Sequence, residues 1–123
     1  MAKWADDTVM DGALDIVAGC TILTVCSAQP TTYAEATSTY KLADVVVDSG
    51  DFSKANGDSS GRKVTVAQQA SVPIDSTGTA THVALAISGS SALKYVTTCT
   101  SQSLTSGGTV TVPAWDIEVA DPS

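Results

Sequence analysis

His82 is the chain's only histidine, and so its only imidazole able to move a proton near neutral pH. It stands in "ATHVALA", where Ala80, His82, Ala84 and Ala86 alternate on one face of an expected strand. A histidine base needs a nucleophile or an orienting carboxylate within hydrogen-bond reach. Cys26 is the thiol to weigh as its partner, yet no family spacing joins the two. No serine sits in a G-x-S-x-G turn. A lone histidine among alanines therefore reads as a contact or packing residue, and no catalytic residue is assigned.

Metal chemistry fares no better. Zinc needs three or four nitrogen or sulfur ligands. The chain offers Cys20, Cys26, Cys99 and His82 without a close C-x-x-C pair. Asp48, Asp51 and Asp58 share one polar stretch, but they lack the alternating oxygens and central glycine of a calcium loop. Asp11 and Asp15 fall four apart on an expected helix and read as a solvated face. Gly57, Gly61, Gly107 and Gly108 read as turn glycines, with no phosphate-binding motif around them. No metal, cofactor or turnover is expected.

The elements that must position these residues are short. "TVMDGALDIVA" (8–18) reads as a helix with Val9, Leu14 and Val17 inward and Thr8 as its cap. "TILTVCS" (21–27) is a buried strand, and Thr32 and Glu35 have capping-box spacing. "YKLADVVVD" (40–48) is a strand whose parity slips near Asp44. Residues 49–61 read as a polar loop, "RKVTVAQQ" (62–69) as an alternating strand, and "PIDSTGT" (73–79) as a turn. Then Val83, Leu85 and Ile87 share a face opposite His82, "SGSS" turns the chain, and Leu93 and Tyr95 continue the apolar face. After the "TSGG" turn, Val110 and Val112 are apolar on even positions, whereas Trp115, Ile117 and Val119 are apolar on odd ones. The flip falls at Pro113–Ala114, where the strand should switch faces or pass between sheets. Trp115 is the expected core aromatic.

These patterns predict an all-β single domain, a β-sandwich or small barrel with one short N-terminal helix. Residues 1–7 form an N-terminal arm and 8–123 the β-domain. The composition agrees: the apolar 43% is rich in Ala and Val, with one Phe, three Tyr and two Trp among 123 residues. The net charge of −7 repels nucleic acid and anionic lipid. No apolar run reaches signal-peptide or membrane-span length, so folding in a cytosol and free thiols are expected. Cys20 and Cys26 bracket a strand of roughly 20 Å, too far apart to pair. Whether Cys99 meets either one across the sheet stays open. Trp4, in a polar arm, suits docking into a partner's groove.

The stretch from "VCSAQPTTYAEATSTYKLADVVVDSGDF" through "GRKVTV" to "THVAL…LKYVTT…SQSLTSGGTVTVPAW…I" resembles small virion structural proteins of tailed bacteriophages, over most of the chain from Val25 onward. The resemblance implies a non-enzymatic β-domain. It points first to a capsid decoration (cement) protein on the head's exterior, contacting the major capsid protein and its own copies as a homotrimer. A tail, neck or fibre-base component comes next. A carbohydrate-binding β-sandwich is a third reading, weakened by the scarcity of aromatics for sugar stacking. The partner-binding residues expected are Trp4 and the face of Ala80, His82, Ala84 and Ala86.

Overall fold

A computed structural model describes residues 6–57 and 61–119; Trp4 and Asp58 lie outside these. Helix α1 spans Asp7–Ala18 and is capped by Asp6, whose side chain accepts from the Thr8 N–H at 3.1 Å. Thr8 therefore sits inside the first turn rather than capping it. A carboxylate one residue earlier both accepts the orphan N–H and meets the positive end of the helix dipole. Gly19 ends the helix, its N–H donating to the Asp15 and Ile16 carbonyls. The buried stripe is Met10, Leu14 and Val17, a 4-then-3 spacing. Val9, expected inward, points out and is 67% exposed; Met10 takes its place because helical phase is set by Leu14 and Val17 together.

Among the described residues nine strands follow, all paired antiparallel: β1 Ile22–Cys26, β2 Lys41–Val46, β3 Phe52–Asn56, β4 Arg62–Val66, β5 Gln69–Pro73, β6 Gly78–Ile87, β7 Ala92–Leu104, β8 Thr109–Val112 and β9 Trp115–Val119. They form a four-stranded sheet in the order β2-β1-β6-β7, a three-stranded sheet β3-β4-β9 and a pair β5-β8. A bridge between Ala43 and Ile74 joins the first sheet to the pair. The molecule is mostly β with one short N-terminal α-helix, as the alternation of short apolar runs requires.

One core cluster joins all three sheets and the helix: Leu14 and Val17, Leu23 and Val25, Val64 and Val66, Val72, Val83 and Leu85, Val110 and Val112, and Ile117. Burying each Val or Leu contributes about 1.5–3 kcal/mol. The parity flip at Pro113–Ala114 is a sheet change: β8 pairs with β5, and β9 pairs with β4. Trp115 is only half-buried, at the core's margin, with its ring stacked on Tyr95 at 5.8 Å between centroids.

Several expectations change. Residues 52–56, read as loop, form edge strand β3; four of its five residues are exposed, so no apolar alternation marks it. Strand β5 lies within 62–79, its ladder interrupted between Gln69 and Val72, with Ser71 at a positive φ of 56°. Asp48 and Asp51 cap the 3-10 turn Ser49–Asp51 reciprocally: Asp48 accepts from the Gly50 N–H and Asp51 from the Asp48 N–H, each at 2.9 Å. After Pro30 the chain makes a π-turn, Glu35–Thr39. Thr32 Oγ1 does accept from the Glu35 N–H, but the Glu35 carboxylate reaches back to Thr31 instead.

Asp11 and Asp15 are not a free solvated face. Arg62 Nε donates to Asp11 Oδ1 at 2.9 Å, and Lys54 pairs with Asp15. Both cations belong to the β3–β4 hairpin, so the two carboxylates fasten α1 across it. The turn between β7 and β8 is held too. Gly107, at φ +91°, donates its N–H to the Ile74 carbonyl, and the Gly108 carbonyl accepts from the Ile74 N–H, both at 3.0 Å.

Candidate functional site

Strand β6 carries the residues singled out for contact, and they do not share one face. Ala80 pairs with Gln102 and His82 with Thr98, so Cys99, Thr100 and Ser101 stand opposite Thr81 alone. This bulge turns Ala80 into the core with Val83 and Leu85, while His82, Ala84 and Ala86 keep the other face. A second irregularity at Leu85/Ala86 pairs Tyr95 with Leu85 and Leu93 with Ala86. Tyr95 therefore packs on the core and Leu93 lies opposite, rather than both continuing one apolar face.

That face is itself buried within the chain at Ala84 and Ala86, each 1% exposed, with His82 half-buried, and it places His82 beside Cys26, its direct cross-strand partner, a juxtaposition that no spacing in the chain signals. It lacks the electrostatics of a thiolate–imidazole pair. Cys26 is fully buried, and its Sγ donates to the Ala36 carbonyl at 3.6 Å. Burial pushes its thiol pKa up, against the lowering effect of the bond to Thr24, whereas a nucleophilic cysteine needs it lowered. His82 Nδ1 lies 2.8 Å from Thr81 Oγ1. Cys20, Cys26 and Cys99 are all free thiols, which answers the pairing left open above. Among the described residues no three His, Cys, Asp or Glu side chains gather as for a metal. No described helix is long and apolar enough to cross a membrane.

Two surfaces have a form that packing alone does not explain. On α1, the outward stripe Val9, Gly12, Ala13 and Ile16 is exposed throughout, with Val9 at 67% and Ile16 at 55%. Its spacing of 3, 4 and 7 makes a continuous ridge, with small residues between two β-branched ones. A helix with one buried face ordinarily shows water a polar one; this helix shows a second apolar stripe.

The other surface is a cleft of about 610 Å³ between β7 and the β8–β9 segment. Thr97, Thr98, Cys99 and Thr100 line one wall; Val112, Pro113, Trp115 and Asp116 line the other. A smaller hollow of about 210 Å³ continues it beneath Val110–Pro113 and Ala80. Although a short turn joins β7 to β8, the two strands share no ladder; β8 leaves to pair with β5. The cleft is the wedge left where they diverge. Asp116, at its margin, accepts from Thr65 Oγ1 at 2.7 Å and from Lys63 Nζ at 3.4 Å. The Trp115 indole Nε1–H is buried and has no hydrogen-bond partner among the described residues.

Trp4, assigned a docking role, lies outside the described residues. Helix α1 begins at Asp7 with its cap at Asp6. Compared with protein-family models, curated proteins and solved structures, the chain matches none.

Proposed function

We propose that this chain is a capsid decoration protein of a tailed bacteriophage. It would bind the outside of the head through the major capsid protein and through copies of itself in a trimer, and stabilise the shell without catalysing a reaction. The observation that carries this reading is the outward stripe of α1. Two large aliphatic side chains in water, separated by Gly12 and Ala13, form a ridge that another surface can approach closely. Such exposed apolar ridges mark sites of association. The acidic charge favours a position outside a shell that holds DNA, and the virion-protein resemblance supplies the setting.

The test uses purified particles. The protein should be present in many copies relative to the major capsid protein on a stained gel. Bare heads should take up the full chain but bind poorly a chain lacking residues 1–5, a cut that spares the Asp6 cap, or one carrying Ile16→Asp. Both variants should keep the β-sheet circular dichroism of the parent. Tight decoration by both variants would refute the reading, and a scarce protein confined to tails would replace it with a tail component.

A further inference from the structure

We propose that the cleft between β7 and β8–β9 is a docking groove for an extended, neutral or basic peptide segment of a partner protein, added as a strand along β7. The inference stands on the cleft alone and does not depend on where the protein works.

Four consecutive residues of β7 line the groove. Successive strand side chains point to opposite faces, so a run of four brings the strand's edge into the wall, beside the inner face of its sheet at Val83 and, deeper, Val25 and Ala80. Opposite, Val110–Pro113 line the inner hollow consecutively as well, so β8 also presents an edge. Among the described residues β7 pairs only with β6, and β8 only with β5. Two edges of separate sheets thus face one gap. An edge carries a row of backbone N–H and C=O groups that accept another strand, and strand addition draws affinity from those groups.

The bulge increases this capacity. Cys99, Thr100 and Ser101 oppose the single residue Thr81, so the β6–β7 ladder is irregular just where β7 lines the groove. Bulges of this kind recur beside functional sites. A buried N–H left without a partner is destabilising, since it has given up its water for nothing. The Trp115 indole is such a group, on a residue of the groove wall, and a strand carbonyl is the acceptor that would satisfy it.

The lining also selects the peptide. Threonines and valines suit an alternating extended segment through cross-strand pairs. Among the described lining residues Asp116 is the one ionised side chain, and no described Lys or Arg joins it there. With a net charge of −7 on the whole chain, an acidic segment is repelled and a basic one attracted.

Cys99 is a reporter built into the wall: it is half-exposed, whereas Cys20 and Cys26 are buried. The experiment treats the full chain with iodoacetamide and follows Cys99 by mass spectrometry, with and without the synthetic peptide Lys-Thr-Val-Thr-Val-Thr-Val-Lys. Affinity is read independently from the shift of the Trp115 indole N–H resonance. At ten times the dissociation constant about one groove in eleven stays open, so alkylation slows about tenfold. A peptide N-methylated at alternate amides, or one with Glu in place of both Lys, should protect weakly. Conversely, chain alkylated beforehand at Cys99 should lose the indole shift. The proposal is overturned if the peptide leaves both the rate and the resonance unchanged. Equal protection by the N-methylated peptide also overturns it, since recognition would not run through the backbone. Protection that rises with protein concentration in the absence of peptide overturns it too, since a second copy would then be the occupant.

Discussion

Replacing Gly12 with Ala separates the free chain from the assembled one. Gly12 sits mid-helix in α1, and a Cβ built on it meets nothing within 4 Å. Glycine in an exposed helix interior costs roughly 0.5–1 kcal/mol relative to alanine, because the unfolded chain loses more backbone freedom on folding. With no clash to offset it, Gly12→Ala should stabilise the dilute protein by about that amount. An unfolding entropy near 2.1 cal/mol/K per residue over 123 residues makes 1 kcal/mol worth about 4 °C in Tm. Calorimetry and urea unfolding are the assays; Cm should rise with m unchanged, since no surface burial changes. The same methyl stands on the ridge between Val9 and Ile16, so it should weaken binding to bare heads while strengthening the fold. If Gly12→Ala lowers the Tm of the dilute chain, this side of α1 is already covered in the free protein and the exposed ridge is wrong.

Three further outcomes follow from the packing. In a double-mutant cycle, Arg62→Ala and Asp11→Ala should couple by about 1 kcal/mol, at the upper end for a part-exposed ion pair. That pair keeps 19% and 23% side-chain exposure; additivity within about 0.3 kcal/mol would show that it does not fasten the helix. The Thr65 hydroxyl, then Lys63, holds the Asp116 carboxyl below its ordinary 3.8. Its contribution is therefore full above that value and lost as pH falls through the lower folded one, so Thr65→Val should flatten stability against pH in that acid window. Burial pushes the Cys20 thiol up to about 11 from an ordinary 9.0, against the opposing charge of Lys94. The unfolded chain ionises first, so stability should fall as pH rises between those values, and Cys20→Ala should remove part of that slope at a general cost from the cavity.

What the chain revealed about its fold depended on whether a residue's partner lay within its own strand pattern. Val64 and Val66 alternate, and β4 could be read directly. The odd–even switch between Val112 and Trp115 foretold the passage from one sheet to another. Strand β3 stayed hidden because an edge strand satisfies its backbone on one side while its side chains remain polar. Ala80 was misplaced because the bulge that turns it inward depends on how β7 lies opposite, not on any local signal. Val9 and Met10 are neighbours of similar hydrophobicity, so the helix's phase was ambiguous until β4 and β9 supplied the surface it packs on. Asp11 and Asp15 looked solvated for a related reason: Lys54 and Arg62 reach them from a distant hairpin. The meeting of Cys26 and His82 is likewise a product of register between strands far apart in the chain. The groove is made of strand edges and backbone, which composition does not display.

The docking of α1 on β4, with further contacts to β3, β7 and β9, also sets the order of events during synthesis. An isolated helix of this length is marginal in water, so α1 waits for the strands it packs on, the last of which is β9. β9 is made about a hundred residues later, an interval of about 5–20 s at ordinary translation rates. Until then Met10, Leu14 and Val17 are as exposed as Val9 and Ile16, and the nascent chain carries an apolar segment with nowhere to bury it. The Asp residues of that segment, at 6, 7, 11 and 15, then have a second task before Lys54 and Arg62 engage Asp15 and Asp11. Their mutual repulsion keeps neighbouring nascent chains apart, so a substitution such as Asp15→Asn should reduce the yield of soluble protein more than it reduces the stability of the finished fold.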